Sequence, residues 1–128
     1  MKTISFILLA LFSFLASCEY EANLTYAIKN NSSSSIKIVF TNTKTLKDGT
    51  ETISPASEKA IAIIGQGLSG VEEYKEKDAN LRSFSKMDIY KNDTIKAKTD
   101  FLKTDRWEYT ATSKHSADYL ATVTDSDF

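Results

Sequence analysis

One cysteine, one histidine, one proline and four glycines in 128 residues leave little room for several kinds of protein. With Cys18 as the lone cysteine, no intramolecular disulfide forms, and the folded part must be held together by packing. With His115 as the lone histidine there is no set of soft ligands for zinc and no Cys-His pair for nucleophilic catalysis. No apolar run reaches the roughly 20 residues that a membrane-crossing helix needs; the longest, Ile4 to Ala16, stops after 13 residues. Neither sign of charge dominates: 16 Lys and Arg against 17 Asp and Glu give a net charge of −1. That balance offers no basic footprint for nucleic acid.

What is present begins at the N-terminus. Lys2 is followed by the apolar run and then by small residues, the layout of an export signal rather than a permanent anchor. Leu15-Ala16-Ser17-Cys18 resembles the lipobox of bacterial lipoproteins. The resemblance implies that residues 1–17 are removed and that Cys18 receives diacylglycerol on sulfur and a fatty acyl chain on its freed amine. One acyl chain holds a protein to a bilayer only marginally, whereas two or three anchor it stably. The resemblance therefore implies a protein lipid-anchored in the cell envelope, with the outer membrane as its expected site. Glu19 and Glu21 loosely resemble the acidic surface-export signals of Bacteroidetes-type lipoproteins, leaving a periplasmic or an outward-facing address open.

Cleavage would leave 111 residues of net charge −2, enough for one domain and too few for two. Residues 18–23 read as the lipidated N-terminus and a short tether, and residues 24–128 as the domain. From Leu24 the pattern has period two, with Leu24, Tyr26 and Ile28 on one side, the mark of a half-buried strand. Asn30-Asn31 and Ser32 to Ser35 supply a turn, after which Ile36, Ile38 and Phe40 alternate with Lys37, Val39 and Thr41. Lys47-Asp48-Gly49-Thr50 marks another turn, followed by a short strand from Glu51 to Ser54 that Pro55 ends or pushes to a sheet edge. Ala60-Ile61-Ala62-Ile63-Ile64 is apolar on both faces and predicts a central strand.

Val71 to Leu81 is rich in Glu, Lys and Ala but poor in apolar residues, so it predicts a charged connection with a single helical turn. Glu72, Glu73 and Glu76 interleave with Lys75 and Lys77 as on a solvated surface. Phe84 to Lys91 and Thr94 to Lys98 read as a hairpin turning at Asn92-Asp93, and two further strands follow at Arg106 to Ser113 and Tyr119 to Thr124. Seven to eight short strands with almost no helix predict an all-β protein: an antiparallel β-sandwich, immunoglobulin-like or transthyretin-like, with a small barrel as the alternative. The lipobox, the Tyr-Ala-Ile-Lys-Asn-Asn strand and the ending Tyr119 to Phe128 together resemble small Bacteroidetes-type envelope lipoproteins.

The chemistry-bearing residues are few. His115 lies in the polar segment Ser113-Lys114-His115-Ser116 and reads as an exposed turn residue rather than a base. Gly65-Gln66-Gly67-Leu68-Ser69-Gly70 lacks the Lys-Ser/Thr of a phosphate loop. Asp93, Asp100, Asp105, Asp118, Asp125 and Asp127 fall at turns without the spacing of a calcium loop, so neither a metal nor a cofactor is expected. Trp107 and Tyr109 share a strand face; they read first as core and second as ligand contacts for a glycan or protein partner. Asp93-Thr94-Ile95 resembles the short O-glycosylation signal of exported Bacteroidetes-type proteins, which implies a glycan on Thr94. The N-glycosylation sequons at Asn23, Asn30, Asn31 and Asn92 would be silent in a bacterial producer.

The expectation is a non-enzymatic binding or assembly module on a lipid stem, attached to the membrane through Cys18 and contacting an envelope protein or a glycan. A small envelope enzyme or small-molecule carrier is the alternative, marked by a deep pocket with convergent polar groups.

Overall fold

A computed structural model describes residues 20–128, so Cys18, Glu19 and the segment expected to be an export signal, residues 1–17, lie outside the described residues. Eight strands form two four-stranded sheets packed face to face. They are β1 (Asn23–Asn30), β2 (Ile36–Asn42), β3 (Asp48–Ile53), β4 (Ser57–Gly65), β5 (Phe84–Lys91), β6 (Ile95–Lys96), β7 (Trp107–Ser113) and β8 (Ser116–Val123). One sheet runs β4-β1-β8-β7 and the other β3-β2-β5-β6. The β-sandwich expected from the period-two segments is therefore present. Every pairing is antiparallel except β1 with β8, which lie parallel in unbroken register from Asn23 opposite Ser116 to Asn30 opposite Val123. β1 and β2 lie in opposite sheets, whereas the first two strands of an immunoglobulin domain are neighbours in one.

The core forms where inward positions of the two sheets meet. Leu24, Tyr26 and Ile28 of β1, with Ala117, Tyr119, Ala121 and Val123 of β8, face Ile36, Ile38 and Phe40 of β2 and Met87 and Ile89 of β5. Burying each large aliphatic side chain stabilises the fold by about 1.5–3 kcal/mol before entropy is counted. Of three register irregularities in the sheets, two tune the fit of the core. In β5 the register slips between the partners of Thr41 and Asn42, which turns Phe84 inward beside Met87.

The second bulge, in β4, corrects the central-strand expectation. Tyr26 pairs with Ala62 and Ala27 with Ala60, leaving Ile61 as the extra residue. Ile61 and Ile64 both turn inward while Ile63 stays 69% exposed, so the apolar run is an edge strand whose bulge breaks strict alternation. The turn expected at residues 47–50 lies earlier, because β3 already starts at Asp48. Gly49 sits opposite Phe40 within that strand, where any Cβ would collide with the Phe40 ring.

The serine segment is a turn, as expected, and Asn30 organises it. This fully buried side chain donates from Nδ2 to the Ser34 and Ile53 carbonyls, each at 2.9 Å. Its Oδ1 accepts from Ser32 N at 2.9 Å and Ser32 Oγ at 2.6 Å. All four hydrogen-bonding positions of the amide are used. At the other end the chain joins the fold at Ala22, two residues before the expected boundary: Ala22 is buried, its N–H donates to Gly67 and its carbonyl accepts from Gln66, both at 2.8 Å.

Candidate functional site

Two concave regions stand out; the connection between β4 and β5 shapes the first, and the strands of the β4-β1-β8-β7 sheet shape the second. That connection opens with one 3-10 turn at Val71–Tyr74, in line with expectation. It then does something the sequence does not announce. Glu76 is buried, not solvated: its Oε1 accepts from Tyr26 Oη at 3.0 Å, Ser83 Oγ at 2.8 Å and Ser83 N at 3.2 Å. Its Oε2 accepts from Arg82 N at 3.0 Å and faces Arg82 Nε at 3.5 Å. The Glu76 backbone N–H donates to Tyr119 Oη at 2.7 Å. The carboxylate is thus tied by a charge-assisted network that fastens residues 75–83 across the mouth of the sandwich.

Beneath it lies an aromatic stack. Tyr26 and Tyr119 are parallel at 5.0 Å, Phe84 and Trp107 meet Tyr26 edge-on, and Tyr109 tilts against Tyr119 at 5.1 Å. Burial pushes the Tyr26, Tyr119 and Tyr109 phenols above their ordinary range, so none of them is poised to act as a base near neutrality. A cleft of about 260 Å³ opens over this network, with Lys44, Gln66, Glu73, Tyr74 and Arg82 on its walls. Its buried carboxylate is already fully engaged by protein donors.

The second region is the outer face of the β4-β1-β8-β7 sheet. In register across it, Ala60, Ala27, Leu120 and Glu108 form one row, and Ile63, Thr25, Asp118 and Thr110 the next. Small side chains at Ala60, Ala27 and Thr25 lower the floor, and Glu58, Glu108 and Asp118 add carboxylates to the lining of a half-open groove of about 390 Å³. Such a groove offers carboxylate and hydroxyl acceptors beside a shallow apolar floor, chemistry suited to a basic peptide segment or to a hydroxyl-rich ligand.

The residues singled out by sequence fall in different places. Trp107 is core: its ring is buried and its Nε1 donates to the Phe101 carbonyl at 2.9 Å. Tyr109 is half-buried, donates to Glu72 Oε1 at 2.8 Å and carries the Lys75 ammonium 4.4 Å from its ring centre. The two are not brought together as an exposed aromatic strip. Thr94 is exposed at the hairpin turn, with Asn92 and Asp93 both at positive φ before it. His115 is half-buried rather than exposed, and its Nδ1 has no hydrogen-bond partner among the described residues.

Three of the turn acids, Asp100, Asp125 and Asp127, have a local structural task. Asp125 accepts from Lys91 Nζ at 2.6 Å and from Ser33 N and Oγ, which hold its carboxyl down at about 2. Asp127 accepts from Thr124 N and Thr99 Oγ1, each at 2.7 Å, and Asp100 from Leu102 N at 2.9 Å. Among the described residues no group of three or more His, Cys, Asp or Glu is placed to hold a metal ion.

Neither Glu76 nor the groove was legible as a site. Glu76 finds its partners up to fifty residues away, and the groove is assembled from ordinary outward positions of four strands. Set against known protein families, curated proteins and solved structures, the chain matches none of them.

Proposed function

We propose that this chain is a lipid-anchored protein of the bacterial cell envelope whose β-sandwich serves as a non-enzymatic binding module. The observation that carries the reading is Leu15-Ala16-Ser17-Cys18 standing four residues ahead of Ala22, the first residue locked into the fold. Export followed by acylation of Cys18 would leave the sandwich on a short stem at its membrane. No helix among the described residues is long and apolar enough to cross a bilayer, so the attachment in this reading is the lipid.

The binding half of the proposal is supported by the acid-lined groove on the outer face of the β4-β1-β8-β7 sheet. Ala60 and Thr110 are exposed there and make no core contact, so Ala60→Arg with Thr110→Arg fills the groove and reverses part of its charge without disturbing packing. Proximity labelling in intact envelopes compares the two forms. The expected result is that the double variant stays in the membrane fraction but loses neighbours that the native protein labels. An unchanged set of neighbours would contradict the groove as the contact surface.

A further inference from the structure

Five large apolar side chains are exposed among the described residues, and three of them, Tyr20, Leu46 and Leu68, sit on separate segments at one end of the sandwich. β1 and β8 begin at this end and β2, β4 and β7 finish there, because Asn23 pairs with Gly65 and with Ser116, and Asn42 with Phe84. The segments also touch. Ala22 N donates to Gly67 O, Asn23 N to His115 O, and Lys44 Nζ to Gly65 O, so the tips of three loops surround the point where the chain enters the fold. Tyr20 approaches the His115 ring at 6.4 Å.

Leu46 is the most telling of the three. It is 80% exposed and adopts φ 53°, a left-handed conformation that glycine or asparagine takes more easily. Folding gains nothing from leucine at that position on either count, so a contact outside the domain explains it better than one within. Leu68, 58% exposed, lies one residue beyond Gly67.

We infer that this end of the sandwich lies on the bilayer, with Leu46 and Leu68 inserted among the lipid headgroups and upper acyl chains. The inference rests on the lipid-anchor reading. Four residue steps lead from Cys18 to Ala22, and an extended chain covers at most about 3.6 Å per step, so the entry point of the fold stays within about 14 Å of the acylated cysteine. Tyr20, between anchor and fold, has the amphipathic ring that suits the membrane interface. Lys44, Lys47 and Lys114 share this end with Glu21 and Glu73, so opposite charges largely offset one another and apolar insertion is the principal contact.

The test uses the acylated protein reconstituted into vesicles of phosphatidylethanolamine and phosphatidylglycerol. Thioether formation consumes the Cys18 thiol, so Leu46→Cys, Leu68→Cys or Ile95→Cys supplies a single free thiol for an environment-sensitive fluorophore. Ile95 is 51% exposed at the opposite end and serves as the control. Labels at 46 and 68 are expected to shift to the blue and to be quenched several-fold more than the label at 95 by lipids carrying a quencher on the acyl chain. Equal quenching at all three positions would overturn the inference, and so would a blue shift without lipid quenching, the mark of contact between copies. Intact mass separates the two readings. Acylated protein with water-exposed labels overturns only the membrane contact, whereas protein lacking the lipid overturns the anchor as well.

Discussion

A carboxylate removed from water costs several kcal/mol unless donors surround it, and Glu76 satisfies that condition with Tyr26, Ser83 and Arg82. Replacing it with Gln puts an amide NH2 where donors already point, which is expected to cost about 1–3 kcal/mol in urea unfolding. Glu76→Ala strands all of those donors at once and is expected to cost about 3–5 kcal/mol, the range for breaking a buried ionic network. Equal stability in all three proteins would show that the network holds nothing in place.

Asp125 makes a separate, pH-dependent contribution at the opposite end. Its hydrogen bond from Lys91, and then those from Ser33, hold the carboxyl at about 2, below the ~3.9 of an unfolded aspartate. A lowered value stabilises the native state above the unfolded pKa and ceases to do so as pH falls through the folded one. The Asp125→Asn variant is therefore expected to lose less stability than the native protein between pH ~4 and 2, measured by urea midpoints across that window.

At the scale of elements, alternation was sufficient where a strand has one wet face. β1, β2, β7 and β8 appear within a few residues of where Leu24, Ile36, Trp107 and Tyr119 start their period-two patterns. It failed where a bulge interrupts the period, as at Ile61, because an edge strand with two consecutive inward residues looks like a strand buried on both faces. The parallel pairing of β1 and β8 had no local signal, since it joins segments nearly a hundred residues apart and no turn specifies it. The β5–β6 hairpin did have one: Thr94 N bonds back to Lys91 O at 3.2 Å around Asn92 and Asp93, at φ 49° and 62°, the signs of a type I′ turn.

Glycine suits the second of those positions better, so Asp93→Gly is expected to stabilise the protein by up to about 1 kcal/mol, read as a higher melting temperature. Destabilisation would mean that Asp93 makes a contact beyond its backbone role. The exposed hydroxyl of Thr94 beside it also keeps the O-glycan implied by Asp93-Thr94-Ile95 within reach of a transferase. Intact masses of native protein and of Thr94→Ala that differ only by the substitution would remove that reading.

For the whole molecule, the division of labour runs along the sandwich axis. Asn30, Ser33, Asp125 and Lys91 lock the end far from the N-terminus with hydrogen bonds and one ion pair. The near end carries the cleft, the exposed leucines and the entry of the chain at Ala22. Attachment to lipid is the central proposal, and it rests on a short contiguous motif that can be read without the fold. The groove and the Glu76 network were illegible because only folding brings their residues together. The most direct measurement follows incorporation of a labelled fatty acid in cells producing either the native chain or Cys18→Ser. Serine has no sulfur to carry the thioether that precedes cleavage, so the account predicts a shortened, labelled, membrane-bound native protein and an unlabelled, full-length Cys18→Ser. Equal labelling of the two proteins, or a native protein that carries no label, would contradict it.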